Sequence, residues 1–357
     1  MVECGSSDSV LTRDHNSSTR TTLIPIPILT LSPFDFQEKT YWQLRNGNET
    51  LVTEFIILGF SKYPELKFFF FTLFLCLYFF TILGNTVIVT VISANASLHT
   101  PMYFFIRNLS LLEICFTSVT IPQILVTLCW EEIRISFVGC ATQLYFFLLF
   151  GATECFLLSV MSYDRFAAIC LPLRYTTIMN KRICIQLSAA CCAGAVLIAT
   201  GHTIFIFTLP FCRSNVINHF YCEIQPLLTL VCGNTYWNEV QVITAAGVVL
   251  ILPLILILVT YIQIITTILK MKSAESRHKT FSTCSSHLTV VTFFYGTALF
   301  MYARPKSSFS LDTDKWVSLS YSVITPLLNP IIYSLRNKEV KGALWKLGTK
   351  VLLIIKK

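Results

Sequence analysis

Two glutamates stand where a charge is expensive. Glu113 and Glu154 each lie inside a long apolar run, and a charge at the middle of a bilayer costs about 2.5–3.5 kcal/mol even on lenient insertion scales. Either both carboxyls stay neutral or they share a cation such as sodium. Asp164-Arg165, an acid–base pair, closes the third apolar run and marks a membrane boundary. His219 and Glu223 flank Cys222 and could hold a metal such as copper. They fall short of the usual ligand count, and a histidine there reads more simply as a solvated surface residue. Asn329-Pro330-Ile331-Ile332-Tyr333 places a proline in an apolar helix, where it removes a backbone hydrogen bond. The freed carbonyl and Asn329 then need polar neighbours, for which Asn85, Glu113 and Tyr333 are the candidates. No Cys-x-x-Cys, His-Glu-x-x-His, Gly-x-Ser-x-Gly or phosphate-binding glycine loop is present. Glu113 and Glu154 have no nucleophile or metal set beside them, so an intramembrane enzyme is disfavoured.

The elements that must position these residues are set by lipid. Hydrophobic residues make up 54% of the chain and charged residues 13%, about half the charged share of a soluble domain. Too few polar groups remain to cover a globular surface. Seven apolar runs, near 67–92, 101–129, 138–163, 183–207, 238–269, 280–303 and 315–335, approach or exceed the roughly 20 residues that cross about 30 Å of hydrocarbon. Hydrocarbon tolerates no unpaired backbone, so the runs are predicted to be helices. The expected architecture is an all-α membrane protein: an arm over 1–66, a seven-helix bundle over 67–335, and a tail over 336–357. In the tail, Val340, Ala343, Leu344, Leu347 and Val351 recur at helical spacing and predict a short amphipathic helix on the membrane surface.

Lysines and arginines concentrate after the third and fifth runs and in the tail. The positive-inside rule therefore puts the carboxyl end in the cytoplasm and the amino end outside. The arm carries two glycosylation sequons, at Asn16 and Asn48, and shows no cleavable signal. The positive net charge is explained by that topology rather than by nucleic acid. Cys140, Cys212, Cys222 and Cys232 fall outside, where pairing is expected. Four cysteines allow three connectivities, and spacing does not choose among them.

Several stretches together carry a family resemblance. Met161-Ser-Tyr-Asp-Arg-Phe-Ala-Ala-Ile-Cys-Leu-Pro-Leu-Arg-Tyr175 resembles the end of the third helix and second inner loop of olfactory receptors, a branch of the rhodopsin-like G-protein-coupled receptors. Leu98-His-Thr-Pro-Met-Tyr-Phe-Phe105, Ser282-Thr-Cys-Ser-Ser-His-Leu288 and Pro326-Leu-Leu-Asn-Pro-Ile-Ile-Tyr-Ser-Leu-Arg-Asn337 are similar to the same family. Phe166 and Ala167 replace its common Tyr and Val, Glu113 its more frequent Asp, and Cys192 its usual Trp. The arm is about forty residues longer than the family's.

The resemblance implies a function and a set of sites. It implies an odorant receptor that takes small, volatile, mostly apolar ligands among Phe146, Phe147, Leu148, Gly151, Ala152, Ala245, Ala246, Val249, Tyr295, Ala298, Leu299, Tyr302 and Ser322. No charge stands where an amine receptor would keep its carboxylate, at Phe147. Asp164, Arg165, Tyr261, Asn329, Pro330 and Tyr333 would serve the switch toward a stimulatory G protein, raising cyclic AMP. Glu113 and Glu154 resemble a sodium-binding pair, the sole cofactor expected. The resemblance favours Cys140–Cys222 with Cys212–Cys232; Cys140–Cys232 is the alternative. Expected partners are odorant, heterotrimeric G protein and membrane lipid, and no nucleic acid. The rival readings are a multi-span transporter, which would show internal repeats, and a non-olfactory chemosensory receptor of the same fold.

Overall fold

The computed structural model describes residues 52–336, except 62, 131, 213, 233–235 and 303–310, together with 340–343 and 345. The chain clusters into two units, Met1–Glu49 and Thr50–Lys357, and the described residues all belong to the second. Both sequons, Asn16 and Asn48, lie outside them.

Among the described residues, seven helices make up the bundle. They are α1 (Lys67–Ala94), α2 (Pro101–Cys129), α3 (Phe137–Cys170), α4 (Lys181–Phe207), α5 (236–269), α6 (Ala274–Tyr302) and α7 (311–336). The first six are long and apolar enough to span a membrane. The seventh is built from Leu311–Leu319, a π-helical turn Ser320–Ile324, and Thr325–Arg336. At about 1.5 Å per residue these pieces also cross about 30 Å of hydrocarbon. Large apolar side chains stay exposed around the bundle: Phe68, Phe69, Phe79, Leu197, Ile243 and Ile262 are each at least 60% exposed. Such a belt is stable only against lipid.

Two helices outrun their predicted ends. Helix α3 continues past 163 through Asp164-Arg165 to Cys170, and α6 begins at Ala274 rather than 280. The charged pair therefore does not end the third helix. The physical reason is that Asp164 is buried and accepts a hydrogen bond from the Tyr175 hydroxyl at 2.8 Å, so its burial is compensated within protein. Tyr175 belongs to a one-turn helix, Tyr175–Ile178, after α3. Burial first, then the Asp164 charge, push its phenol up, so it stays a donor.

Local signals start the helices. Ser136 caps α3 by accepting from the Gly139 N–H at 3.0 Å, and Asn180 caps α4 from Ile183 at 3.0 Å. Pro101 opens α2, where its missing N–H costs nothing. Helix α3 is the axis of the bundle and packs on α2, α4, α5 and α6. In its most apolar window 56% of residues are buried, against 11% for α1. Residues 340–343 are helical again, with Val340 and Ala343 buried.

A small sheet was not anticipated. Strands β1 (Glu54–Ile57), β2 (Ile133–Ser136) and β3 (Val216–Ile217) run in the order β2-β1-β3, antiparallel and then parallel. Alternation in β1 buries Phe55 and Ile57, and Phe55 packs against Phe137 and Phe211. The sheet ties the described part of the arm to the loops before α3 and after α4. Beside it, Gly59 takes a φ of 50°, and a Cβ there would stand 2.3 Å from that of Thr127, so no other residue fits.

Candidate functional site

A cavity of about 110 Å³ opens among α2 to α7, toward the disulfide-bearing end. One water needs roughly 10–15 Å³ on this measure, so the space admits a small organic molecule. Helix α3 supplies Phe147, Leu148, Gly151, Ala152 and Cys155, the stripe expected of one helical face. Helix α5 adds Val242, Ala245, Ala246, Val249 and Leu250; α6 adds Phe294 and Ala298. Phe116, Ile198, His202, Ile224 and Tyr321 complete the wall. Both π-helical turns, Gly247–Ile251 and Ser320–Ile324, contribute lining residues. A π turn adds one residue to the helical repeat and so re-aims the side chains beyond it.

Four residues anticipated in this wall stand elsewhere. Phe146 is 38% exposed and stacks on Phe150 along the outside of α3, one helical step from Phe147. Tyr295 lies behind the wall and donates from its hydroxyl to the Cys155 carbonyl at 2.9 Å. Leu299 is partly buried against the core, and Ser322 is buried with its hydroxyl on the Ser318 carbonyl at 2.7 Å. The side chains of Tyr302 and Tyr333 lie outside the described residues. His202, Cys155, Ile198 and Tyr321 were missed. The signal for His202, an imidazole within an apolar run, was in the sequence.

The cavity is covered by the segment after α4. Cys140 pairs with Cys222 and Cys212 with Cys232, with Cα atoms 5.5 and 5.7 Å apart. The Gln143 side chain accepts from the Cys222 N–H at 3.0 Å, fixing the cover to α3 a second time. Glu223, fully buried, accepts from the Tyr321 hydroxyl at 2.6 Å and lies 3.2 Å from His219. His219 is itself buried, which overturns the solvated surface reading. Burial, then the charge of Lys315, push its imidazole down to about 3, outweighing the hydrogen bond to the Tyr221 backbone. Lys315 donates to the Gly59 carbonyl at 3.1 Å and stands over the Phe220 ring.

Beneath the cavity lies a polar cluster. Pro330 has no N–H to give the Pro326 carbonyl, and Asn85 donates to that carbonyl instead, at 3.2 Å. Gly84 permits the approach: a Cβ there would lie 3.1 Å from the Pro330 ring. Asn329 donates to Glu113. The Glu113 and Glu154 carboxyls are neighbours, and both are buried. Asn85 Oδ1, Asn329 Oδ1, Glu113 Oε2 and Glu154 Oε1 are buried without a partner. All four are hard oxygen acceptors, the donor type a sodium ion takes and a transition metal does not favour. Among the described residues no three His, Cys, Asp or Glu side chains converge.

Near the far end of the bundle, Tyr261 pairs with His287 Nδ1 at 2.8 Å, joining α5 to α6. The Thr260 hydroxyl donates to Ser162 at 3.1 Å, joining α5 to α3. Asp164, Arg165 and Tyr261 thus gather where α3, α5 and α6 meet, apart from Asn329 and Pro330 in the cluster above.

A membrane bundle of seven helices, with a cavity toward one end, a disulfide-tethered cover and a polar cluster around an Asn-Pro turn, has the build of a seven-transmembrane receptor. The family model described as olfactory receptor matches residues 74–350. Olfactory receptor 10C1 of Homo sapiens is 54% identical over 299 residues, covering 84% of this chain and 96% of its own length. Olfactory receptor 10A3 of Homo sapiens is 49% identical over 311 residues, covering 87% and 99%. Olfactory receptor 8U9 of Mus musculus is 50% identical over 300 residues, covering 84% and 96%. The chain belongs to the olfactory receptor family: it is a multi-pass, G-protein-coupled receptor and not an enzyme.

Proposed function

We propose that the chain binds a small, volatile, largely apolar odorant in the cavity over Gly151 and Ala152 and, when occupied, activates a stimulatory G protein that raises cyclic AMP. The observation that carries this reading is the cavity wall. Its described residues include no lysine, arginine, aspartate or glutamate, so a charged ligand would find no counter-ion among them. Tyr321 touches both the ligand space and Glu223 of the cover, and thus couples occupancy to closure.

The path inward starts at Cys155. Its side chain lines the cavity, its carbonyl accepts from Tyr295 of α6, and its neighbour is Glu154 of the polar cluster. A ligand shifts the receptor only by its difference in affinity between two states. Tyr295 and the cluster are the contacts that a movement of α6 and α7 must remake. Arg165 and Tyr261 would then be uncovered for the G protein. The amino end would face outside and the lysine-rich end the cytoplasm, with lipid around the bundle. Glu113 and Glu154, helped by the amide oxygens of Asn85 and Asn329, would hold a sodium ion. Its positive charge would let both carboxyls ionise and bridge α2 to α3. The residues of 1–66 would form the extracellular arm, glycosylated at Asn16 and Asn48, and 336–357 the cytoplasmic helix and tail.

The test is a panel of volatile compounds applied to cells expressing the full chain, read by cyclic AMP, with Arg165→Ala as the silent control. Agonists should be neutral and apolar. A response confined to charged amines or to organic acids would overturn the reading.

A further inference from the structure

We infer that His202 is the polar anchor of the ligand cavity and selects odorants that carry a hydroxyl group. The inference rests on the odorant-receptor reading of the same cavity.

The wall of the cavity is nearly all carbon, so its few polar atoms decide which ligand group is recognised. Three described lining side chains carry a heteroatom that could serve: Cys155, Tyr321 and His202. A thiol is a weak hydrogen-bonding group. The Tyr321 hydroxyl already donates to Glu223 at 2.6 Å. His202 differs from both. It is only 7% exposed, and its Nδ1 is buried with no hydrogen-bond partner. An unpaired buried polar atom is costly and rare in a folded protein. The His202 imidazole lines the cavity, and a turn of its ring about the Cβ–Cγ bond would bring that nitrogen to a ligand.

The chemistry of the partner is set by the imidazole and its neighbours. A neutral imidazole offers one donor and one acceptor nitrogen, and a hydroxyl satisfies either one. A hydrocarbon would leave Nδ1 unpaired. Among the described lining residues a carboxylate would meet no lysine or arginine, and an ammonium no aspartate or glutamate. The remaining wall, from Phe116 and Phe147 to Val249 and Phe294, suits an alkyl or ring body. His202 stands on α4, across the bundle from Ala298, so the hydroxyl would point toward α4 and the apolar body toward α6.

The experiment compares alcohols with hydrocarbons in which a methyl group replaces the hydroxyl. The probes are hexanol and octanol against heptane and nonane, on cells carrying the full-length chain with matched surface levels. The readout is cyclic AMP. In the unaltered receptor the alcohols should act at about tenfold lower concentration, the worth of one buried hydrogen bond. His202→Leu should erase that gap by weakening the alcohols alone, and His202→Gln, which keeps a donor and an acceptor, should restore part of it. Should His202→Leu fail to reach the surface, the alcohol-to-hydrocarbon ratio and His202→Gln still decide. Equal potency of the two series, equal losses on both in His202→Leu, or activation by other volatiles with none by alcohols would overturn the anchor and leave the receptor reading intact. If no volatile raises cyclic AMP above the Arg165→Ala background while direct cyclase stimulation does, the receptor reading falls and the anchor with it.

Discussion

The cavity and the polar cluster beneath it lie on the same helices and are built on opposite terms. Mostly carbon lines the cavity, and among its described lining residues His202 Nδ1 is a nitrogen left unpaired. The cluster gathers two carboxyls and two amides, with four oxygens unpaired. An apolar wall gains little from any single ligand atom, so it tolerates many ligands of the right size. A buried polar group gains or loses a great deal when one partner moves. The first region is suited to sampling chemicals and the second to having two states. Cys155 and Glu154, adjacent on α3, are where the two meet.

Breaking the cover of the cavity should have the largest effect. Cys140–Cys222 closes a separation of 82 residues and Cys212–Cys232 one of 20. By loop-closure entropy these contribute about 4.5 and about 3.3 kcal/mol. Cys140→Ser should therefore abolish surface delivery, and Cys212→Ser should lower it less, as measured by flow cytometry of an epitope-tagged chain. Disturbing the cluster comes next. Asn329→Leu removes the donor to Glu113 and should cost about 1–3 kcal/mol in thermal unfolding in detergent. Replacing sodium by a large organic cation should shift basal cyclic AMP in the unaltered receptor, and Glu154→Gln should remove that shift. No sodium dependence in the unaltered receptor would leave the neutral carboxyl pair as the description of the cluster.

The cover also sets a pH dependence. His219 is held neutral, with its imidazole pushed down to about 3. Below its ordinary value of about 6.5 the unfolded chain takes up a proton that the folded one refuses, so stability falls as pH drops from about 6.5 toward 3, by about 1.4 kcal/mol per unit at most. His219→Phe should flatten the melting temperature between pH 7 and pH 5; an unchanged slope would place the titrating group elsewhere. A smaller effect is expected at Gly84. The Cβ of Gly84→Ala would meet the Pro330 ring at 3.1 Å, and crowding of that order costs about 1 kcal/mol. It should alter basal activity more than ligand potency, because it presses on the Asn85 contact and not on the cavity.

Much of this was legible in the residues themselves. The seven spans come from length and hydropathy alone. The Asn85–Pro330 relation comes from a missing N–H and the rule that hydrocarbon leaves no carbonyl unpaired. The features that escaped have several physical causes. Helices that are apolar all round carry no strong face, so Phe146 could not be told from Phe147, nor Leu299 from Ala298. The π turns in α5 and α7 shift the register of the residues after them, and nothing in Gly247–Ile251 or Ser320–Ile324 announces them. Asp164-Arg165 read as a helix end because the Tyr175 hydroxyl that compensates Asp164 comes from a separate turn. The sheet was hidden because β1 has four residues and β3 two, too short for alternation to speak.

The most direct test of the cavity as the odorant site uses Gly151. A Cβ there meets nothing within 4 Å, and Gly151 lines the cavity, so a side chain added at this position starts unobstructed beside the ligand space. Odorant-stimulated cyclic AMP should be measured for Gly151→Phe and the unaltered receptor at equal surface levels. The account predicts that the filled variant keeps its basal signal and loses its response to every agonist. An undiminished response would place the ligand elsewhere and contradict it.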